Sequence, residues 1–237
     1  MRSFASLRMT GNRMSRLPAD PEAFIRANTA LEAPAMVPEF RLWLASEYVP
    51  IWQATEAWLE EHNVDPPYWA FCWPGGQAIA RYVLDNPGEV RGKRVIDFAA
   101  GSGVSSLAAA RAGAASVLAN DIDALSLVAA RLNARANDIS FEISRDDWLA
   151  GPEGAPDADV VIAGDVCYER EMSARALAWL RGHARLGRLV LLGDPGRNYF
   201  SAQGLEERAR YEIPTSLQLE NRGMRETVVW RVLPHPC

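Results

Sequence analysis

Apolar and polar positions change their period along this chain. Between 20 and 63 the apolar residues, among them Phe24, Ile25, Phe40, Leu42, Trp43, Leu44, Tyr48, Ile51, Trp52, Trp58 and Leu59, recur at helical spacing. That spacing predicts two or three helices with a break at Pro50. From 65 to 76 the run DPPYWAFCWPGG crowds aromatics and prolines into a loop, and a helix follows at about 77–84. After Asn86-Pro87-Gly88 short apolar runs alternate with helical segments. Strands are predicted at 95–98, 116–121, 139–143, 159–164 and 189–193, and helices at 103–112, 124–136, 169–181 and 201–210. The tail, 211–219 and 227–233, alternates like a hairpin around Asn221-Arg222-Gly223.

Repeated β-α units of this length imply right-handed crossovers and a parallel sheet covered on both faces. The expected fold is therefore α/β: a seven-stranded, mostly parallel sheet, an antiparallel C-terminal edge hairpin and an N-terminal helical extension. One domain is expected over 20–237, with the N-terminal helices in 20–65 and the core in 66–237.

Residues 1–19 carry Arg2, Arg8, Arg13 and Arg16 and no acid, the composition of a mitochondrial transit peptide. They lack an apolar core and a clear amphipathic stripe, so the segment reads instead as disordered or as a mis-started stretch ahead of Met14.

Composition narrows the function. With 49% hydrophobic and 23% charged residues the chain is suited to a packed core, and no apolar run approaches the length of a membrane span. A net charge of −5 lacks the basic footprint with which nucleic-acid binders displace counterions. Cys72, Cys167 and Cys237 form no CxxC pair and have no histidine at ligand spacing, which argues against a disulfide framework or a zinc site and for a reducing compartment. Of the 25 basic residues, Lys93 is the only lysine.

The chemistry concentrates at strand ends. Asp97-Phe98-Ala99-Ala100-Gly101-Ser102-Gly103 follows the first core strand and opens a helix, where parallel sheets bind nucleotide-like ligands. Asp121, ending the next strand, is placed to accept from ribose hydroxyls. A dinucleotide site and an S-adenosylmethionine site share this outline. Asp97 separates them, because a carboxylate there repels a pyrophosphate and attracts an ammonium and a sulfonium.

With VIDFAAGSG, ANDID, Asp147-Trp148 and DVVIAGDVCYE in place, the chain resembles the class I, seven-strand, Rossmann-like methyltransferases from about Pro67 onward. The resemblance implies S-adenosylmethionine as donor and S-adenosylhomocysteine as product. It implies the methionine moiety over Ala99, Gly101 and Gly103, ribose at Asp121 beside Ile122, and adenine near Asp147 and Trp148. A plain loop acid and a core tryptophan are the alternative for the last two.

Asp165 and Tyr168 follow the fourth core strand, where a nucleophile must meet the donor. For a lysine acceptor Asp165 would hold the ammonium and take or relay its proton, and Tyr168 would orient the nitrogen. The alternative makes Asp165 the cap of the next helix and Tyr168 packing. Trp73, beside Gly75-Gly76, is expected to wall the cleft against the cationic donor. Cys167 reads as buried filler, His62, His183 and His235 as surface residues, Asn133 and Asn137 as helix-end residues, and Asp194-Pro195-Gly196 as a turn. Asp65-Pro66-Pro67-Tyr68 mimics a signature of DNA-adenine methyltransferases, but it follows a helical segment instead of a strand, and the acidic balance opposes a nucleic-acid substrate.

Within the class, RLWLASEYVP, PPYWAFCWPGGQAIARYVLDNP, DFAAGSG, GDVCYE and ETVVWRV are similar to the electron-transfer flavoprotein β-subunit lysine methyltransferases and their bacterial relatives. That similarity implies a lysine acceptor on the flavoprotein β-subunit, with Asp165 and Tyr168 matching an acid-x-x-tyrosine motif. A nicotinamide-like amine is the second reading, since relatives carry that label, and a non-catalytic donor-binding module the third. A monomer without nucleic-acid or membrane partners is expected in the cytoplasm, or in the mitochondrial matrix if residues 1–19 are a transit peptide.

Overall fold

The computed structural model of the protein describes residues 17–45, 67–150, 156–215 and 223–234. The helices expected over 46–63, most of the leader and the hairpin tip at Asn221-Arg222 lie outside the described residues.

Helix α1, Pro21–Asn28, starts at Asp20, whose side chain accepts from Ala23 N, and Pro21 takes a first-turn position that needs no amide donor. Two short strands follow, β1 (Ala30–Glu32) and β2 (Leu42–Leu44), paired antiparallel. Here the expectation of a helix fails. Leu42 and Leu44 are buried and Trp43 only partly so, a two-residue alternation too short to be separated from a helical stripe by spacing alone.

The core then runs α2 (Pro74–Asp85), β3 (Arg94–Phe98), α3 (Val104–Arg111), β4 (Ser116–Asn120), α4 (Ala124–Ala136), β5 (Glu142–Ser144), β6 (Val160–Gly164), α5 (Arg170–Arg185), β7 (Leu189–Asp194), β8 (Leu205–Pro214) and β9 (Met224–Val232). The seven-stranded sheet has the order β5-β4-β3-β6-β7-β9-β8, parallel through β7 with β9 and β8 antiparallel at one edge. Residues 205–210, expected as a helix, belong to β8. Glu, Ala and Arg favour a helix locally, but the backbone groups of β9 offer a ladder, and Glu206, Glu207 and Arg210 point their charges outward on the edge.

Alternation along the strands divides the core. Val95, Val160, Ile162 and Leu191 pack with α2 and α3 on one face. Ile96, Phe98, Val161, Ala163, Val190 and Leu192 pack with α5 on the other. The crossovers after β3 and β6 thus leave neighbouring strands toward opposite faces, and the sheet order reverses between them, which opens a crevice at their carboxyl ends. Glycines decide how closely α2 covers that crevice. A Cβ on Gly75 would stand 2.4 Å from Gly193 O and 2.5 Å from Asp165 Oδ2, and one on Gly193 only 2.3 Å from Gly75 O.

His183, expected at the surface, is 6% exposed on α5. Its ring lies 4.1 Å from that of Trp179, and burial together with Arg188 lowers its pKa to about 4. Among the described residues no helix is long and apolar enough to cross a membrane.

Replacing Gly75 by Ala forces backbone apart at the sheet edge and should cost about 2–3 kcal/mol, read as a lower denaturant midpoint at unchanged slope. Gly88→Ala, where an added Cβ meets nothing within 4 Å, should stay within about 0.5 kcal/mol.

Candidate active site

The crevice at the β3/β6 junction is lined by Phe71, Trp73, Asp97, Ala99, Gly101 and Asp165, among others. Each strand turns sharply at its end. Ala99 has φ +57° and Asp165 φ +57°, left-handed values that cost a non-glycine residue about 1 kcal/mol or more. Both sit on the crevice, which turns β3 and β6 away from each other and leaves room between them. Gly103, φ +77°, lets the loop close over α4, where an added Cβ would stand 2.9 Å from Ala130 Cβ.

Asp97 is 2% exposed and shares its strand face with Val95. Ser106 Oγ donates to its Oδ2 at 2.6 Å. Burial pushes its pKa up to about 7; the Ser106 hydrogen bonds lower it, and the charge of Asp121 raises it further. Asp121, one residue beyond β4, accepts from Gly101 N at 2.9 Å and from Asp123 N at 3.0 Å. Burial, and then the charge of Asp123, pushes it up to about 7 as well. Two carboxyls so raised, one at the glycine loop and one at a strand end, suit a ligand that brings its own positive charge and hydroxyl donors. S-adenosylmethionine has both.

Ile122, beside Asp121, is 52% exposed, an apolar surface open to an aromatic ring. Asp147 is exposed, and its Oδ1 accepts from Leu149 N at 3.0 Å. Trp148 does not join the crevice with its side chain. It is 1% exposed and stacks on Trp179 at 6.0 Å and 16°, inside the α5-side core.

On the opposite wall, Trp73 precedes α2 and its Nε1 donates to Tyr68 O at 2.8 Å. The Tyr68 ring lies 6.1 Å from Trp73 and 5.6 Å from Tyr168, and Phe71 lies 5.7 Å from Trp73. Tyr168 therefore reaches the aromatic wall. Burial raises its hydroxyl above the ordinary range, which keeps it a neutral hydrogen-bond donor.

Asp165 does not cap α5. Glu169 does, accepting from Glu171 N and Met172 N. Asp165 Oδ2 instead accepts from Gly76 N at 3.2 Å in the first turn of α2, and its Oδ1 from the Arg197 guanidinium. Cys167 is fully buried behind it.

Three contributors escaped sequence reasoning. Ser106 holds Asp97. Asn133, buried in α4, accepts from Trp43 N at 2.7 Å and donates to Ser102 O at 2.8 Å, pinning β2 to the glycine loop. Arg197 follows the Asp194-Pro195-Gly196 turn, whose position just past β7 was the available signal. Asn137 does terminate α4, and its side chain bridges Arg41 N and O.

Comparison with known proteins bears on this geometry. A family model described as ribosomal protein L11 methyltransferase matches residues 79–166. The chain is 38% identical over 220 residues to the electron transfer flavoprotein beta subunit lysine methyltransferase of Xenopus laevis, covering 90% of this chain and 87% of that protein. It is 34% identical over 233 residues to the Homo sapiens protein of the same name, covering 91% and 84%. A ribosomal protein L11 methyltransferase of Exiguobacterium sp. is 40% identical over 89 residues, covering 37% and 26%.

Donor affinity should strengthen as pH rises through 7, because only the ionised Asp97 attracts a cation. A group of pKa about 7 is mostly protonated one unit below and mostly ionised one unit above, so calorimetry should show about tenfold tighter binding at pH ~8 than at pH ~6. Asp97→Asn should bind weakly at both, and Ser106→Ala should move the midpoint upward.

Proposed function

This chain belongs to the electron transfer flavoprotein β-subunit lysine methyltransferase family, and from that premise we propose that it methylates lysine side chains of an electron transfer flavoprotein β-subunit. The methyl donor is S-adenosylmethionine, which supplies a sulfonium-borne methyl group to an incoming nucleophile. The observation that carries the acceptor reading is that a strand-end carboxylate, Asp165, lines the crevice together with Phe71 and Trp73, whose ring contacts continue to Tyr68 and Tyr168.

A lysine side chain is an apolar stem with a polar tip. Aromatic faces suit the stem and stabilise a methylated, cationic nitrogen, while the carboxylate and the neutral Tyr168 hydroxyl give the tip hydrogen-bond partners. Asp97 and Asp121 would hold the donor's ammonium and ribose, Gly101 and Gly103 let it approach the backbone, and Ile122 offers adenine an apolar face. In this reading Trp148 supports the β3 and β6 ends from the core. Little covalent work falls on the protein. Alignment of donor and nucleophile at close approach can supply about 7–11 kcal/mol of the barrier.

Incubating the protein with radiolabelled donor and purified electron transfer flavoprotein should label the β-subunit, and Asp165→Ala should reduce transfer at least about a hundredfold while donor affinity stays within about twofold. Label on nicotinamide and none on the flavoprotein would replace the acceptor class. Donor binding with no transfer to either would reduce the protein to a binding module.

A further inference from the structure

Asp165 already has a cation. Its Oδ1 accepts from Arg197 Nε at 3.0 Å and Nη2 at 2.6 Å, and the two side chains are only 12% and 15% exposed. The guanidinium carbon also stands 5.5 Å from the centre of the Trp73 ring. The arginine is fixed from its backbone too. Gly196, with φ +76°, turns the chain so that Gly196 N and Arg197 N both donate to Asp194 Oδ1 at 2.7 Å. Asp194 is itself 2% exposed and lies beside the buried Cys167. Such an arrangement is stiff, and its parts come from three separate elements: the end of β6, the turn after β7 and the entry to α2.

We propose that Arg197 is a positioning residue of methyl transfer: it fixes the Asp165 carboxylate and, as a resident positive charge beside the acceptor, disfavours the ammonium form of the incoming amine. The proposal rests on the lysine-acceptor reading of the site. Only a neutral amine has the lone pair that the reaction needs. An unpaired carboxylate in a partly dry crevice stabilises the ammonium and holds the acceptor in its unreactive form. Pairing with Arg197 cancels that charge while leaving geometry available. Oδ1 serves the guanidinium and Oδ2 accepts from Gly76 N, so an incoming acceptor meets a carboxylate whose charge is already paired and whose position is fixed. The balance is then simple. The ammonium gives its proton to solvent, the nitrogen lone pair forms the N–C bond, and the C–S bond breaks with its electron pair left on sulfur. The product methylammonium carries the positive charge.

The test compares Arg197→Met and Arg197→Lys with the native chain. At saturating acceptor, kcat against pH reports groups in the bound complex. Arg197→Met should move its acid limb upward by about one pH unit, Arg197→Lys should leave the limb in place, and both should bind donor as the native protein does. A second readout needs no acceptor. With 13C-labelled aspartate carboxylates, the Asp165 signal, identified by its loss in Asp165→Asn, should titrate at higher pH in Arg197→Met than in the native protein. If Arg197→Met does not fold, Arg197→Gln takes its place in both arms.

A uniform fall in rate with an unmoved limb overturns the proposal, as does an unchanged Asp165 titration. So does a faster Arg197→Met, which would make the arginine a plug that the acceptor displaces. Failure of the native chain to label the flavoprotein sinks the acceptor reading alone, and the carboxylate titration then decides the hold of Arg197 on Asp165.

Discussion

The site depends on a backbone contact that only glycine permits. The first turn of α2 lies against the carboxyl ends of β6 and β7, with Gly75 facing Gly193 and Asp165, and Gly164 facing Gly76. No side chain separates helix from sheet there. This contact places Trp73 at the crevice and brings the Gly76 amide to Asp165. It also aligns the start of a helix, whose first amides lack partners within the helix, with a carboxylate that a strand has just delivered. The aromatic wall and the chemistry-bearing strand ends are therefore positioned by one packing event. Their geometry does not rely on long flexible side chains.

Around that contact the protein gathers negative charge and compensates it unequally. Asp97 and Asp121 are pushed up to about 7 by burial, and the charges that act on them come from other carboxylates. Asp194 is pushed up to about 7 by burial as well. Asp165 is ion-paired to Arg197. Among the described residues, then, Asp97 and Asp121 have carboxylates as their charged neighbours, and Asp165 has a cation. This asymmetry fits a reaction whose donor arrives charged and whose acceptor must arrive neutral. It also separates by charge two roles that strand-end position alone merges, since each of these acids lies at the end of a strand.

That merging shows what is legible in a linear chain. β3, β4, β6 and β7 are readable as short apolar runs and α4 by apolar positions at helical spacing, and Asp97, Asp121 and Asp165 are readable because strand ends are where such sheets bind ligands. β8 is not readable. Its Glu-, Ala- and Arg-rich start prefers a helix, and only the partner strand β9 makes it a strand. β2 fails for a related reason, since three residues cannot display a period. Arg197, Ser106 and Asn133 join the site through neighbours 32, 9 and 31 residues away, and beyond the turn before Arg197 nothing local marks them. Trp148 shows the converse case, a residue in the right loop whose indole turns into the core to stack on Trp179.

Strain and charge then act in the same direction. Ala99 and Asp165 hold left-handed backbone conformations at adjacent strand ends, and a fold retains such conformations only where the surroundings over-determine them. The raised carboxyls work against the unliganded fold as well. A carboxyl whose pKa is about 7 folded and near 4 unfolded leaves the folded state progressively less stable as pH rises between those values, because the unfolded chain releases its proton first. A cationic donor that requires the ionised carboxylates binds the folded form alone, and its binding offsets that loss.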